Sequence, residues 1–340
     1  MQQEKELQKL LSSEAVSQRS IRDRVGVFIQ ATDAVDAISR IREAEQAGVR
    51  QIWSQGAGFA DILAVFAVAA SKTESIRLGT SIVPAYPRHP LVMAQQALAV
   101  HDVAPGRLRL GIGPGARILV EDWYGLSQTS PLSYLREYVE VVRDVLWEGK
   151  TSYHGNFFNV SKGNAVSNMV APLQRKAQIP LLVSAVNPKA FRLAGEISDG
   201  AISWACPVPY LLNQALPELR AGAEARQRPA PPVIAHIQVA LSKDDAAVLA
   251  ATRRGMRRGM QIGPYARMFA RAGFAGAVEG NEEDLDALAR ARVISGDEET
   301  VRSRLQELLA SGLDELLLQL TPVADEEKER QQLLRLVGSL

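Results

Sequence analysis

DRVGVFIQATDAVDAISRIREAEQAGVRQIWS, residues 23–54, contains one complete strand–helix–strand unit. VGVFI (25–29) reads as a buried strand, being short, apolar and rich in β-branched residues. A helix starts near Thr32 or Asp33, residue types whose side chains cap free amides. It keeps Val35, Ile38 and Ile41 inward and stops at Gly48, since glycine accepts the left-handed turn that ends helices. A second strand occupies 49–54. Alternation of this kind marks βα units and hence a parallel sheet.

The unit repeats down the chain. A helix over 61–72 leads to strand IRLGTSIV (76–83), and a helix beginning near His89 leads to strand RLRLGI (107–112). Helix 132–147 places Leu135, Val139, Val142 and Leu146 on one face. Residues 150–175 break the rhythm, and YHGNFFNV (153–160) reads as a hairpin turning at Gly155 and Asn156. IPLLVS (179–184), a helix from Pro188, GAISW (200–204), a helix after Pro209 and VIAHIQVAL (233–241) resume the pattern. The stretch 244–293 is irregular and helical, rich in Arg and Met, with a break at Gly263 and Pro264. Ser295 and Glu298 form a capping box for helix 298–311, Gly312 ends it, and ELLLQL (315–320) is the last strand. Eight strands with intervening helices predict an α/β chain forming a single (β/α)8 TIM barrel, with insertions after strand 4 and strand 7. An open doubly wound sheet is permitted by the same alternation. Residues 1–22 form an N-terminal helical or frayed segment, and 23–340 form the barrel domain.

Composition excludes several functions. Lys plus Arg (39) balances Asp plus Glu (38), so no global field draws the chain to nucleic acid or anionic lipid. The expected partner is a small-molecule substrate. One cysteine, Cys206, cannot form an internal disulfide, and no CxxC or HExxH spacing offers a metal site. The charged N-terminus lacks the apolar run of a signal peptide, and no 18 apolar residues run together. A cytoplasmic, reducing location follows as the expectation. Helices 61–72 and 89–101 are rich in Ala, Val and Leu with few charges, which predicts a homodimer.

In a barrel the functional groups lie at the C-terminal ends of strands. GIGPG (111–115) follows a strand, and its glycines permit close backbone approach to a ligand or simply make a turn. SAVNPKA (184–190) ends a strand and opens a helix at Pro188, a geometry that suits a phosphate as well as a plain strand-to-helix turn. SIVPAYPRHP (81–90) crowds three prolines, Tyr86, Arg88 and His89 into one loop. His89 is either a proton donor or a helix-start residue. Cys206 follows strand six and reads as a small buried hydrophobe.

LGTSIVPAYPRHPLVMAQQ (78–96), GRLRLGIGPG (106–115), AGEISDGAI (194–202) and the ending VISGDEETVRSRLQELLASGLDELLL (293–318) together resemble the luciferase-like flavin and deazaflavin oxidoreductases. More narrowly the chain is similar to the methylenetetrahydromethanopterin reductases that use coenzyme F420. The resemblance implies a cis peptide between Ser81 and Ile82 behind the cofactor ring. It implies that the Val186, Asn187 and Pro188 turn lies near the cofactor phosphate and that Gly113 lines the same cleft.

The sequence departs from the reductases at three places. They carry a glutamate on strand one where this chain has Phe28, and an aspartate after GIGPG where it has Ala116. They carry an acid followed by histidine after strand two, where it has Gln55 and Gly56. Proton transfer needs a positioned acid, so an apolar substrate pocket of Phe28, Trp53, Phe59 and Trp204 is expected instead. The resemblance therefore implies hydride transfer between F420 and a small organic substrate. An FMN-dependent monooxygenase and a catalytically inactive ligand-binding barrel are the alternatives.

Overall fold

The computed structural model describes residues 2–56, 60–149, 152–161, 176–260 and 262–340. Its barrel strands are β1 (Val25–Phe28), β2 (Gln51–Ser54), β3 (Arg77–Thr80), β4 (Leu108–Gly113), β5 (Leu181–Ala185), β6 (Ala201–Ser203), β7 (Val233–Ala240) and β8 (Glu315–Leu320). Each runs parallel to the next, and the ring shuts where Val25, Gly26 and Val27 align with Leu316, Leu317 and Leu318. Closure excludes the open sheet. The helices α1 (Ala34–Gln46), α2 (Ile62–Ala70), α3 (Pro90–Val103), α4 (Pro131–Arg143), α5 (Pro188–Ile197), α6 (Leu216–Ala225), α7 (Glu298–Ala310) and α8 (Glu326–Gly338) accompany these strands.

Local chemistry accounts for the boundaries. Asp33 caps α1 by accepting from the Val35 and Asp36 amides, and Gly48 closes the turn at φ +89°. Leu135, Val139, Val142 and Leu146 are all fully buried, as their spacing requires. The hairpin is present, with Tyr153 opposite Val160 and His154 opposite Asn159. The insertion after β7 comprises helices Asp245–Met260, Gly263–Arg271, Ala275–Glu279 and Glu282–Arg292.

Three expectations are corrected. Val35 is 78% exposed, because the buried stripe of α1 runs through Ala37, Ile41 and Ala44 and Val35 lies about half a turn away from it. The cap of α7 is Asp297, whose side chain accepts from the Thr300 amide, while Ser295 belongs to the short strand Val293–Ser295 beside β7. The third strand does not run unbroken over 76–83. It stops at Thr80, passes through a cis Ser81–Ile82 peptide, and resumes as Val83–Pro84 against Ile112 and Gly113 of β4.

Side chains alternate in and out along each strand, and the interior is layered. Near the N-terminal end, Arg109 donates to both carboxylate oxygens of Glu315 at 2.6 and 2.8 Å, and Gln51 bridges the pair. Above them lies Trp53, fully buried, with the Arg109 guanidinium 4.9 Å from its ring centre. Gly79 makes room for this ring, since a Cβ there would sit 2.3 Å from Trp53 Cε3. Within AGEISDGAI, Asp199 is a structural clasp: it accepts from the Leu181 amide and from Arg143, both at 2.9 Å.

Candidate active site at the mouth of the barrel

The C-terminal end of the barrel is shaped by the break after Thr80. Thr80 Oγ1 accepts the Gly111 amide and donates to the Gly111 carbonyl, each at 2.8 Å, where the β3–β4 ladder would otherwise lapse. The bulge is tied to β2 and the turn that follows it on both sides of the cis bond, by the Ser81 amide donating to Ser54 O and the Gly56 amide donating to Ile82 O, both at 2.8 Å. Gly113 forms the floor beside it. A Cβ at Gly113 would lie 2.3 Å from Ser184 Oγ and 2.9 Å from Ile82 Cγ1, so no side chain fits without displacing them.

An aromatic wall rises opposite. Phe28 meets Trp204 edge to face at 5.1 Å, and Trp204 stacks on His236 at 3.9 Å. His236 Nδ1 accepts the Ala205 amide at 3.2 Å, so Nε2 carries the proton and donates to Gln319 Oε1 at 2.8 Å. Ala205 adopts a left-handed φ of +60° at this corner. Burial pulls the His236 pKa down to about 3, so the ring is neutral at ordinary pH. Three polar atoms at the C-terminal ends of β3, β7 and β8 are buried without a partner among the described residues: Ser81 Oγ, Gln238 Oε1 and Thr321 Oγ1. Buried polar atoms are rarely left unsatisfied, and together they suit a ligand with polar edges.

The His236 shift predicts a pH effect. The unfolded chain takes up a proton near pH 6.5 while the folded chain resists it, so this stability is fully present above about pH 6.5. It is lost as pH falls toward about 3. From about pH 7.5 to 5 the loss amounts to about 2 kcal/mol at about 1.4 kcal/mol per unit. Urea unfolding of the parent and of His236→Gln at both pH values measures it. A variant as acid-sensitive as the parent would refute the assignment.

Beside the mouth, Asn187 caps α5 by accepting the Ala190 amide at 3.1 Å, and the Val186 carbonyl accepts the Tyr210 hydroxyl at 3.0 Å. Pro188 has no N–H, which leaves the Lys189 amide as the first-turn donor without an intrahelical partner. That turn carries no acid. The start of α8 is the opposite case: Glu329 takes the amides of Val323, Ala324 and Asp325, and Glu326 and Glu327 add further negative charge. An anion therefore finds a favourable helix start at α5 and a repulsive one at α8.

Residues 20–315 match the luciferase-like monooxygenase family model. The chain belongs to this family. It is 29% identical over 80% of its length to a protein of Mycobacterium tuberculosis described as a coenzyme F420-dependent oxidoreductase, covering 87% of that protein. It is 27% identical over 78% of its length to the 5,10-methylenetetrahydromethanopterin reductase of Methanopyrus kandleri, covering 83% of it. Among solved structures, an F420-dependent secondary alcohol dehydrogenase in complex with an F420-acetone adduct superposes with TM-score 0.74 at 18% identity, over 92% of this chain and 97% of that one. No helix among the described residues is long and apolar enough to cross a membrane, and no group of three or more His, Cys, Asp or Glu among them could hold a metal ion.

Within this luciferase-like mouth the expected site residues separate. Phe28 and Trp204 face each other, Ser81, Ile82 and Gly113 form the bulge and floor, and Val186, Asn187 and Pro188 form the adjoining turn. Trp53 is a correction: its side chain points inward but one layer deeper, sealed between Gly79 and Arg109, so it is core and not pocket wall. Phe59 lies outside the described residues. His89 is exposed and caps α3, its Nδ1 accepting the Leu91 amide at 3.2 Å. Arg192 pairs with Glu218 at 3.3 Å. A small cleft also opens beside Phe28, between the ends of β1 and β8 and α8, lined in part by Gln30, Gln319, Pro322 and Leu334. His236, Gln238, Gln319 and Thr321 were missed in the sequence because they read as ordinary positions in buried strands. The period of two turns the first three inward but does not say that they meet.

Proposed function

We propose that this luciferase-like chain transfers a hydride between coenzyme F420 and a small organic substrate of apolar character. The observation that carries the reading is the mouth itself: a floor at Gly113 where a side chain would displace Ser184 and Ile82, with Ser81 Oγ, Gln238 Oε1 and Thr321 Oγ1 at the ends of β3, β7 and β8 orphaned among the described residues. A flat ring with polar edges fits that combination. The similarity at 29% identity to a relative described as coenzyme F420-dependent supports the deazaflavin over FMN. When bound, the cofactor supplies a ring carbon able to take or give a hydride.

The protein's own residues bind and orient. Ser81, Ile82 and Gly113 would hold the ring, and the Lys189 amide at the start of α5 would hold the phosphate. Phe28 and Trp204 would press the substrate against the ring and exclude water. Phe28 replaces the reductases' acid, so the substrate is one whose reaction needs no carboxylate proton donor from β1. His236, neutral and bonded at both nitrogens, holds Trp204 in place. A homodimer forms part of the proposal, supported by exposed Val68 and Val92 on α2 and α3.

Titrating the purified protein with F420 and with FMN tests the reading, with oxygen uptake in the presence of reduced FMN as the result that would replace it. Asn187→Asp sharpens the test. Asp preserves the cap on Ala190, so the fold stands, while its charge opposes the phosphate. F420 affinity is expected to fall by about tenfold or more at low salt, about 1.4 kcal/mol. Unchanged affinity would place the phosphate elsewhere.

A further inference from the structure

Arg292 ends the helix Glu282–Arg292, immediately before the strand Val293–Ser295 that runs along β7 with Val293 opposite Gln238. That position is the rim of the mouth. The side chain keeps apolar company, its Cζ 5.6 Å from the Phe269 ring centre, and its Nε is buried with no partner. Its charge reaches His236, Cys206 and Tyr265.

No carboxylate among the described residues neutralises it. Among the described residues the Arg292 guanidinium makes no hydrogen bond or ion pair, and Glu282 and Asp286 of its own helix are engaged by Arg253. The segments 57–59, 150–151, 162–175 and 257–261 contain no Asp or Glu in their sequence. Glu4 precedes a segment bonded to Asp314 and Ala230 at the opposite end of the barrel. Leaving a partly buried charge unpaired is costly, and such a guanidinium is a receptor for an anion that arrives from outside. Burial lowers its pKa to about 10, which leaves it charged at neutral pH.

We infer that Arg292 anchors a carboxylate on the substrate, so that the class acted on is a small organic acid with an apolar body. The inference rests on the oxidoreductase reading for the word substrate; the anion site itself does not depend on it. One guanidinium matches one negative charge. Arg292 is the cation felt by His236, Cys206 and Tyr265, and burial keeps the Cys206 thiol protonated by pushing it up to about 12. A phosphate dianion would leave surplus charge against a partly buried, apolar surrounding. The apolar body would lie against Phe269 and the Trp204 wall.

The test uses the full chain without cofactor, titrated by calorimetry with hexanoate, hexan-1-ol and inorganic phosphate. Hexanoate should bind at least about tenfold more tightly than either of the others, a difference of about 1.4 kcal/mol. Arg292→Leu should lose that preference, and Arg292→Lys should keep part of it, which separates lost charge from lost fold. F420 affinity should be unchanged in Arg292→Leu. Equal binding of hexanol and hexanoate by the parent overturns the anion site, as does full hexanoate binding by Arg292→Leu. Tighter binding of phosphate overturns the substrate class. Loss of F420 affinity in Arg292→Leu would assign the guanidinium to an acidic group of the cofactor. A parent that binds hexanoate but neither F420 nor FMN would refute the proposed function and leave this site standing.

Discussion

Arg109→Met is expected to destabilise the barrel by about 3–5 kcal/mol, because it strands the carboxylate of Glu315 without its cation in a fully buried layer. Among the described residues Gln51 remains as its hydrogen-bond partner, donating at 3.2 Å, and Arg77 as the nearby charge. Burial pushes the Glu315 pKa upward, but Arg109, Arg77 and Gln51 together outweigh it and hold the group below the ordinary carboxylate range. The pair therefore contributes stability above the unfolded pKa of about 4.3 and loses it as pH falls below that value. The double variant Arg109→Met with Glu315→Leu removes both charges and fills similar volume, so it should recover most of the loss. Urea unfolding of parent, single and double variants at neutral pH measures the cycle. A single variant within about 1 kcal/mol of the parent would mean that the carboxylate finds water or another partner.

Gly111→Ala and Gly113→Ala should part company although they are two residues apart on β4. At Gly111 the added Cβ would stand 2.0 Å from the backbone oxygen of Thr80, a residue whose hydroxyl is tied to both the amide and the carbonyl of Gly111. No rotation relieves that contact, and a loss above about 3 kcal/mol, at the top of the overpacking range, is expected. At Gly113 the nearest atoms are Ser184 Oγ and the Ile82 side chain, which can turn aside. There the cost should be about 1–3 kcal/mol, with the chain still folded and the displaced side chains pushed into the mouth. Thermal unfolding and F420 titration together check the contrast. Equal destabilisation by the two would show that the Thr80 carbonyl is able to move.

Much of the architecture was legible in the chain because it depends on neighbours a few residues away. β8 spans the same residues, 315–320, that its apolar run marks out, and the Asn187–Pro188 start of α5 is visible as a cap followed by a proline. The buried face of α4 followed from spacing alone. The cis bond at Ser81–Ile82 was accessible only through the family resemblance, since no local periodicity encodes it.

What the sequence by itself determined was the succession of strands and helices, the caps and breaks between them, and the absence of any long apolar span. Tertiary structure alone decided that the sheet closes, that Trp53 is a plug between Gly79 and Arg109 while Phe28 and Trp204 meet above it, and that Ser81, Gln238 and Thr321 end in the same mouth as orphans. It also decided that Arg292, one arginine among many in an irregular insertion, has a buried Nε at the rim that lacks a partner among the described residues. The physical reason is range. Hydrogen-bonded turns and the hydrophobic period act over a few residues and are written in the local order of the chain, whereas burial, charge pairing and the room left by a missing Cβ depend on residues brought together from strands far apart in it.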